Sequence, residues 1–112
     1  MATPGSSFLL LSDDDVRQAL GMREAIDVNA AAFKDLAAQR AVCPDRHLVP
    51  VAETDGGCTL FKPAYIPAAG ALGLKVVSVR PRNADVGLPT IPATIMTFDE
   101  TTGMLSGVLA AT

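Results

Sequence analysis

Residues 73–90 read GLKVVSVRPRNADVGLPT and set one lysine, Lys75, inside an apolar run. Its apolar neighbours are Leu72, Leu74, Val76, Val77 and Val79. Because several of them are β-branched, the run predicts a largely buried strand rather than a helix. A lysine there either extends its ammonium to the surface, or stays inside, where lost hydration disfavours the charge and a polar partner must compensate. The first alternative is the commoner one, and the second is how catalytic lysines arise.

Further strands are predicted on both sides of this one, separated by proline and glycine signals. With the strand that holds Lys75, they span residues 8–11, 47–53, 58–66, 72–80, 91–98 and 104–110. Asp55, Gly56 and Gly57 predict a tight hairpin between the second and third of these strands, and residues 101–103 predict another between the last two. Hairpins of this kind make neighbouring strands antiparallel.

A short helix is predicted to begin after Ser12. Ser12 is a favourable N-cap, and Asp15 occupies the capping-box position three residues later. The acidic triplet that opens the helix is better explained by this cap and by the helix dipole than by a cation site, which needs more widely spaced oxygen ligands. Val16 and Leu20 mark the predicted buried face, and Gly21 is predicted to end the helix.

A second helix is predicted at residues 22–40, where apolar residues recur at spacings of three and four. The apolar stripe comprises Met22, Ile26, Ala30, Phe33 and Ala37. We expect this stripe to pack onto the sheet. Two helices and several antiparallel strands without βαβ alternation predict an α+β fold: a mixed, largely antiparallel sheet with both helices packed on it. We expect residues 1–7 to form a flexible tail and residues 8–112 to form one domain.

The composition, with 49% hydrophobic residues in a chain of 112, indicates a single small globular unit. A net charge of −3, one tyrosine and no tryptophan argue against a nucleic-acid partner. No apolar run approaches the ~20 residues of a membrane-spanning helix, and the N-terminus lacks a secretory signal, so we expect a cytoplasmic protein with no membrane partner. Cys43 and Cys58, with one histidine in the chain, predict free thiols rather than a disulfide or a zinc site.

A series of short motifs runs in order from about Leu10 to the last residue, with no large gaps. The motifs are LLSDDDV at 10–16, PDR at 44–46, KPAY at 62–65, GLKVVSV at 73–79, Pro81 with Asn83, GLPT at 87–90, FD at 98–99 and TG at 102–103. In this order and spacing they resemble the ornithine cyclodeaminase and mu-crystallin family, which also includes alanine dehydrogenases and ketimine reductases.

The resemblance implies roles for three residues. Arg46 matches the position that binds the substrate α-carboxylate. Lys75 matches the lysine that contacts the same carboxylate and is proposed to act in proton transfer. Thr90 matches a residue at the nicotinamide end of the cofactor. Taken alone, Arg46 is a loop cation whose planar fork suits a carboxylate, and Thr90 is a hydroxyl that satisfies a turn. Lys62 stands where many members have a methionine, and is either a surface charge or part of a pocket that differs from theirs.

The resemblance also implies that members use NAD or NADP, act on a small amino acid or a ketimine, and form homodimers through this sheet. It covers only the first part of the family's fold, because the chain has no GxGxxG and ends before the family's Rossmann domain. We therefore expect the chain to be the N-terminal substrate-binding and dimerisation part of an NAD(P)-dependent oxidoreductase or deaminase. We expect this truncated chain to be inactive by itself and to bind no cofactor or metal. The alternative is a non-catalytic module for dimerisation or for binding a small carboxylate.

Overall fold

The computed structural model describes residues 7–51 and 56–112, and in that part of the chain six strands form one sheet. The elements in chain order are β1 (Leu9–Leu11), α1 (Asp13–Ala19), α2 (Met22–Ala37), β2 (His47–Pro50), β3 (Cys58–Ile66), β4 (Ala71–Val79), β5 (Ala93–Phe98) and β6 (Leu105–Ala110), with 3₁₀-helical segments at Pro67–Ala69 and Pro81–Val86. The order across the sheet is β1-β6-β5-β4-β3-β2. Only β1 and β6 are parallel among the strand pairs of the described residues. The predicted α+β fold with a mixed, largely antiparallel sheet is confirmed.

The strand boundaries follow the predicted ones closely where the structure describes them. β3 has the predicted limits, and β1, β4, β5 and β6 differ from prediction by one or two residues at an end. β2 ends at Pro50, and the rest of its predicted range beyond Val51 lies outside the described residues, as do Asp55 of the first hairpin and residues 1–6 of the predicted tail. Val51 N donates a hydrogen bond to Gly57 O at 2.9 Å, so the chain reverses direction here as predicted.

The second predicted hairpin is confirmed between β5 and β6. Gly103 adopts a left-handed backbone with φ 72°, which favours glycine, and its N–H donates to Asp99 O at 2.9 Å. The Asp99 carboxylate accepts from the backbone N–H groups of Thr102 and Thr101 at 2.8 and 2.9 Å. These two bonds hold the pKa of Asp99 below its ordinary value because they favour the charged form.

The register of the sheet brings two lysines together. Lys75 of β4 lies directly opposite Lys62 of β3 and Ile95 of β5. Residues that are opposite on neighbouring strands share a face of the sheet. We call the face that carries these three side chains the lysine face.

The N-terminus of α1 has the predicted capping box. Ser12 Oγ accepts from Asp15 N at 3.1 Å, and Asp15 Oδ2 accepts from Ser12 N at 2.9 Å. Gly21 directly follows Leu20, the C-cap of α1, so the helix ends where predicted, but Gly21 has φ −74° instead of a left-handed backbone and is also the N-cap of α2. Leu20 N still bonds to Val16 O, so the chain leaves one helix and enters the next without a left-handed residue.

The prediction that the apolar stripe of α2 packs on the sheet is wrong. Met22, Ile26 and Phe33 are 77, 61 and 68% exposed. The helix ends at Ala37, three residues earlier than predicted, and residues 32–36 face β3 only across a hollow of about 160 Å³. Periodicity identified an apolar face correctly, but nothing in the described part of the chain covers it. By contrast, α1 contacts β1 and β6.

The buried core of the described residues is small. Its hydrophobic members are Val77 and Ala93, at 8 and 9% exposure, on the lysine face of β4 and β5. The accessible surface is 8240 Å², whereas a compact monomer of this mass exposes about 5,800 Å². The radius of gyration is 16.1 Å, against about 13 Å for a compact domain of this length. The sheet therefore leaves much apolar surface uncovered in the single chain.

Candidate functional site

Lys75 lies on a rigid part of the fold, in the middle of the interior strand β4. Its side chain is half-buried and lines a hollow of about 350 Å³ on the lysine face. Lys62 lines the same hollow from the neighbouring strand. The other lining residues carry no charge: Ala64, Ile66, Gly70, Ala71, Leu72, Gly73, Leu74, Ile95, Thr97, Phe98 and Ser106. Lys75 is therefore half-buried and faces an open hollow, which lies between the two alternatives that the sequence left open.

Arg46 lies in the loop just before β2 and lines a second hollow of about 460 Å³. This hollow is also lined by Cys43, Pro44, Asp45, Lys62 and Pro63. Because Lys62 lines both hollows, the two adjoin at this residue. The structure thus brings Arg46, Lys62 and Lys75 into one series, which we call the cationic strip.

Among the residues that the structure describes, no group of opposite charge pairs with the cationic strip. Across residues 7–51 and 56–112, the side chains of Arg46, Lys62 and Lys75 form no hydrogen bond or ion pair, and Asp45 is the one acidic residue that lines either hollow. Like charges directly opposite each other on a sheet repel. An anion bound at the strip would relieve this repulsion, so the arrangement suits the binding of a carboxylate.

Thr90 is not brought to the cationic strip. It is exposed, lines neither hollow, and its carbonyl accepts from Arg80 N at 2.8 Å. Arg80 follows Lys75 by five residues on an extended strand, which is about 17 Å. The expected contact of Thr90 with a nicotinamide ring stays a prediction.

Arg80 has a structural role that the sequence did not indicate. Its guanidinium donates to the carbonyls of Cys58 and Val79 at 2.7 and 3.0 Å and to Thr59 Oγ1 at 3.0 Å. Thr59 Oγ1 in turn lies 2.8 Å from Ser78 Oγ on the face opposite the lysines. Arg80 is five residues after Lys75, and an odd spacing along a strand places two side chains on opposite faces of the sheet. The sequence could therefore have revealed which face Arg80 occupies.

The described residues lack the glycine-rich fingerprint of a dinucleotide site. Such a site places a pyrophosphate on a glycine-rich turn between a strand and a helix N-terminus. No GxGxxG occurs in the 112 residues. In the part of the chain that the structure covers, no group of three or more His, Cys, Asp or Glu side chains could hold a metal ion. Both cysteines are free thiols, as predicted.

No helix in the described ranges has the length and hydropathy that crossing a bilayer requires. The expected cytoplasmic location stays a prediction.

Solved structures of high similarity include two enzymes with bound nucleotide. The structure of Delta(1)-pyrroline-2-carboxylate reductase from Thermococcus litoralis, in complex with NADH and L-proline, has a TM-score of 0.89 and 34% identity, and the match covers 94% of this chain and 32% of that one. An archaeal alanine dehydrogenase dimer with bound NAD has a TM-score of 0.86 and 31% identity, with coverage of 94% and 31%. These two structures thus resemble this chain both in fold and in sequence.

The sequence matches lead to the same group of proteins. An uncharacterized cyclodeaminase of Dictyostelium discoideum is 32% identical over 118 residues, which is 93% of this chain and 32% of the relative. A Delta(1)-pyrroline-2-carboxylate reductase of Bacillus cereus is 36% identical over 95 residues, or 85% of this chain and 29% of the relative. This chain spans about a third of the length of these relatives. The family model for the ornithine cyclodeaminase/mu-crystallin family matches residues 7–112, and the chain belongs to that family.

Proposed function

We propose that this chain holds the carboxylate of a small amino or imino acid for an NAD(P)-dependent oxidoreductase or deaminase of the family. The observation that carries the proposal is the cationic strip, in which Arg46 and Lys75 border two adjoining hollows without an acidic partner in the described residues. The L-proline and NADH in the Thermococcus litoralis complex support a substrate of this class.

The two cations suit different parts of this task. The guanidinium of Arg46 offers a planar fork that can hold both oxygens of a carboxylate. The ammonium of Lys75 is a compact charge on a strand fixed by hydrogen bonding on both sides, which orients the substrate and places a proton donor beside it. Hydride transfer also needs a nicotinamide cofactor, and the described residues do not form its site. We propose that the 112-residue polypeptide alone binds the carboxylate without catalysing the reaction.

We further propose that the chain forms a homodimer through its sheet. The accessible surface exceeds that of a compact monomer by about 2,400 Å² in one chain, or about 4,800 Å² in two, and an obligate interface buries about 2,000–5,000 Å² over both partners. The uncovered apolar residues include Leu9, Leu10, Leu48, Val49 and Phe61 on the strands. The alanine dehydrogenase among the similar structures is a dimer.

A second candidate function is a non-catalytic module for dimerisation or for binding a small carboxylate. The observation that favours it is that the cationic strip and the uncovered sheet lie within 112 residues that include no glycine-rich phosphate loop. Nucleotide reduction in the presence of a nucleotide-binding partner distinguishes the two candidates.

Calorimetry on the purified chain tests the proposal, with L-proline and L-alanine as monocarboxylate ligands and with NADH and NADPH. We expect the amino acids to bind and the Arg46→Met and Lys75→Met variants to bind about ten-fold or more weakly, since each lost charged contact is worth about 1.5–3 kcal/mol. Arg23→Met and Lys34→Met, on the exposed surface of α2, are the matched controls.

Equal affinity in all four variants, or no amino-acid binding at any soluble concentration, would contradict the carboxylate site. Micromolar binding of NADH by the chain alone would contradict its proposed dependence on a nucleotide site elsewhere. A further experiment fuses this chain to a nucleotide-binding partner or mixes the two. The non-catalytic module predicts that carboxylate binding is unchanged in this mixture, whereas the oxidoreductase predicts that the nucleotide is reduced.

A further inference from the structure

The proposed carboxylate site uses two cations of the strip and leaves Lys62 without a role. Lys62 and Lys75 are directly opposite on neighbouring strands, where Cβ atoms lie about 4.5–5.5 Å apart. One monocarboxylate brings a single negative charge to three positive ones. The strip therefore has more positive charge than a monocarboxylic substrate can neutralise.

The hollow beside Lys62 and Lys75 has room for a substrate larger than a single carboxylate. Its volume of about 350 Å³ is within the range of small-ligand sites, about 300–1,000 Å³. Gly73, two residues before Lys75, also lines the hollow on this face and contributes no side chain to it. At the far side, Thr97 Oγ1 and Ser106 Oγ share one hydrogen bond at 2.9 Å and carry no charge. The charge that a ligand meets in this hollow therefore comes from the two lysines.

We propose that Lys62 reads a second carboxylate, and that the substrate is a dicarboxylic amino or imino acid. The inference rests on the proposed carboxylate site and goes beyond it by naming the substrate class. Arg46 and Lys75 hold the α-carboxylate, and the ammonium of Lys62, which borders both hollows, takes the acidic side chain. With an apolar residue in place of Lys62, the site would not distinguish a dicarboxylic ligand from a monocarboxylic one.

Paired ligands of equal size test the inference: L-aspartate against L-asparagine, and L-glutamate against L-glutamine. We expect calorimetry on the 112-residue chain to show about ten-fold or tighter binding of at least one acid over its amide, as a charged hydrogen bond provides. Lys62→Met should remove this preference and leave the amide's affinity within two-fold. Lys62→Arg should keep the preference, and Lys34→Met should change nothing. The amide-binding affinity of each variant also reports that the site is folded.

Each other outcome has a distinct meaning. Equal binding of acid and amide by the unmodified chain, or a preference that survives in Lys62→Met, would overturn the assignment of Lys62 while the carboxylate site stands. A Lys62→Met variant that weakens acid and amide equally would make Lys62 a third ligand of the α-carboxylate, which also overturns it. If neither acid nor amide binds, the proposed function fails as well.

Discussion

Tyr65 Oη donates a hydrogen bond to Glu100 Oε2 at 2.5 Å, and this bond joins β3 to the turn that follows β5. The same carboxylate lies against the connection between β3 and β4, where a Cβ on Gly70 would come within 3.0 Å of Glu100 Oε1. Glu100 thus bonds to β3 from the turn after β5 and leaves no room for a side chain at Gly70, in the connection from β3 to β4.

This bond predicts an alkaline loss of stability. The hydrogen bond to Glu100 raises the pKa of Tyr65 above its ordinary value of 10.0. A raised pKa means that the folded state holds the proton more tightly, so the contribution is present below pH 10 and is lost as the pH rises above it. Because Tyr65 is the single tyrosine, phenolate absorbance reports it alone. We expect Glu100→Gln to lower the midpoint of the phenolate absorbance titration of Tyr65 toward pH 10. An unchanged titration midpoint would contradict the hydrogen bond.

The capping box of α1 predicts an acid-sensitive contribution. The backbone and side-chain hydrogen bonds with Ser12 lower the pKa of Asp15, so its contribution is present above the ordinary value of 3.8 and is lost as the pH falls below it. Ser12→Ala should cost about 1 kcal/mol of unfolding free energy at neutral pH. Denaturant titrations between pH 3 and 7 measure both effects. Asp15→Asn should lower the unfolding free energy at neutral pH, and Asp14→Asn is its control. A larger loss of unfolding free energy in Asp14→Asn than in Asp15→Asn would refute the capping role of Asp15.

Gly107 of β6 is expected to tolerate no side chain. A Cβ there would lie 2.9 Å from Thr97 Oγ1, whose β-branched side chain has little rotamer freedom. We expect Gly107→Ala to destabilise the chain by about 1–3 kcal/mol in denaturant unfolding. Thr97→Ala in the same background should recover part of the loss. Gly21→Ser, where an added Cβ meets no atom within 4 Å, should not destabilise the chain, and as the N-cap of α2 a serine should stabilise it by a few tenths of a kcal/mol. Additive effects of the Gly107 and Thr97 substitutions would show that the two sites do not clash.

The lysine pair predicts a gain in stability when one charge is removed. Because Lys62 and Lys75 face each other without an acidic partner in the described residues, Lys62→Met should raise the unfolding free energy by about 0.2–1 kcal/mol at low salt. The gain should shrink at high salt, which screens the repulsion. Lys34→Met should show neither effect. A salt-independent change would point to packing rather than charge.

The uncovered sheet predicts association of the isolated chain. If a homodimer covers the excess surface, the melting temperature should rise with protein concentration, because association stabilises only the folded state. Sedimentation equilibrium measures the species directly. A monodisperse monomer with a sharp, concentration-independent unfolding transition would contradict the proposed dimer.

Features of the fold that depend on neighbouring residues were predictable from the sequence. The capping box involves Ser12 and Asp15 alone, and the limits of β3 follow from turn signals beside it. The pairing of Lys62 with Lys75 was not predictable in the same way, because it depends on the register of a long strand pair. The exposure of Phe33 was missed because periodicity identifies an apolar face but not what covers it.

The same distinction applies to the candidate site. Arg46 and Lys75 were identified through motifs, and the structure places them in adjoining hollows. Lys62 stood out in the sequence only as a replacement for the family's usual methionine, either a surface charge or part of a pocket, and its position between the two hollows emerges only from the folded sheet. The distance of Thr90 from the strip likewise depends on the path of the chain after β4.

The parallel pairing of β1 with β6 has a consequence for synthesis. Leu9 pairs with Gly107, nearly a hundred residues later in the chain. At about 5–20 residues per second, β1 emerges from the ribosome about 5–20 s before its partner. Hairpins among β3 to β6 can form as they emerge, whereas β1 has to wait, with Leu9 and Leu10 unpaired. We expect its docking to be the slow, long-range step of folding, during which a nascent chain is open to capture by chaperones.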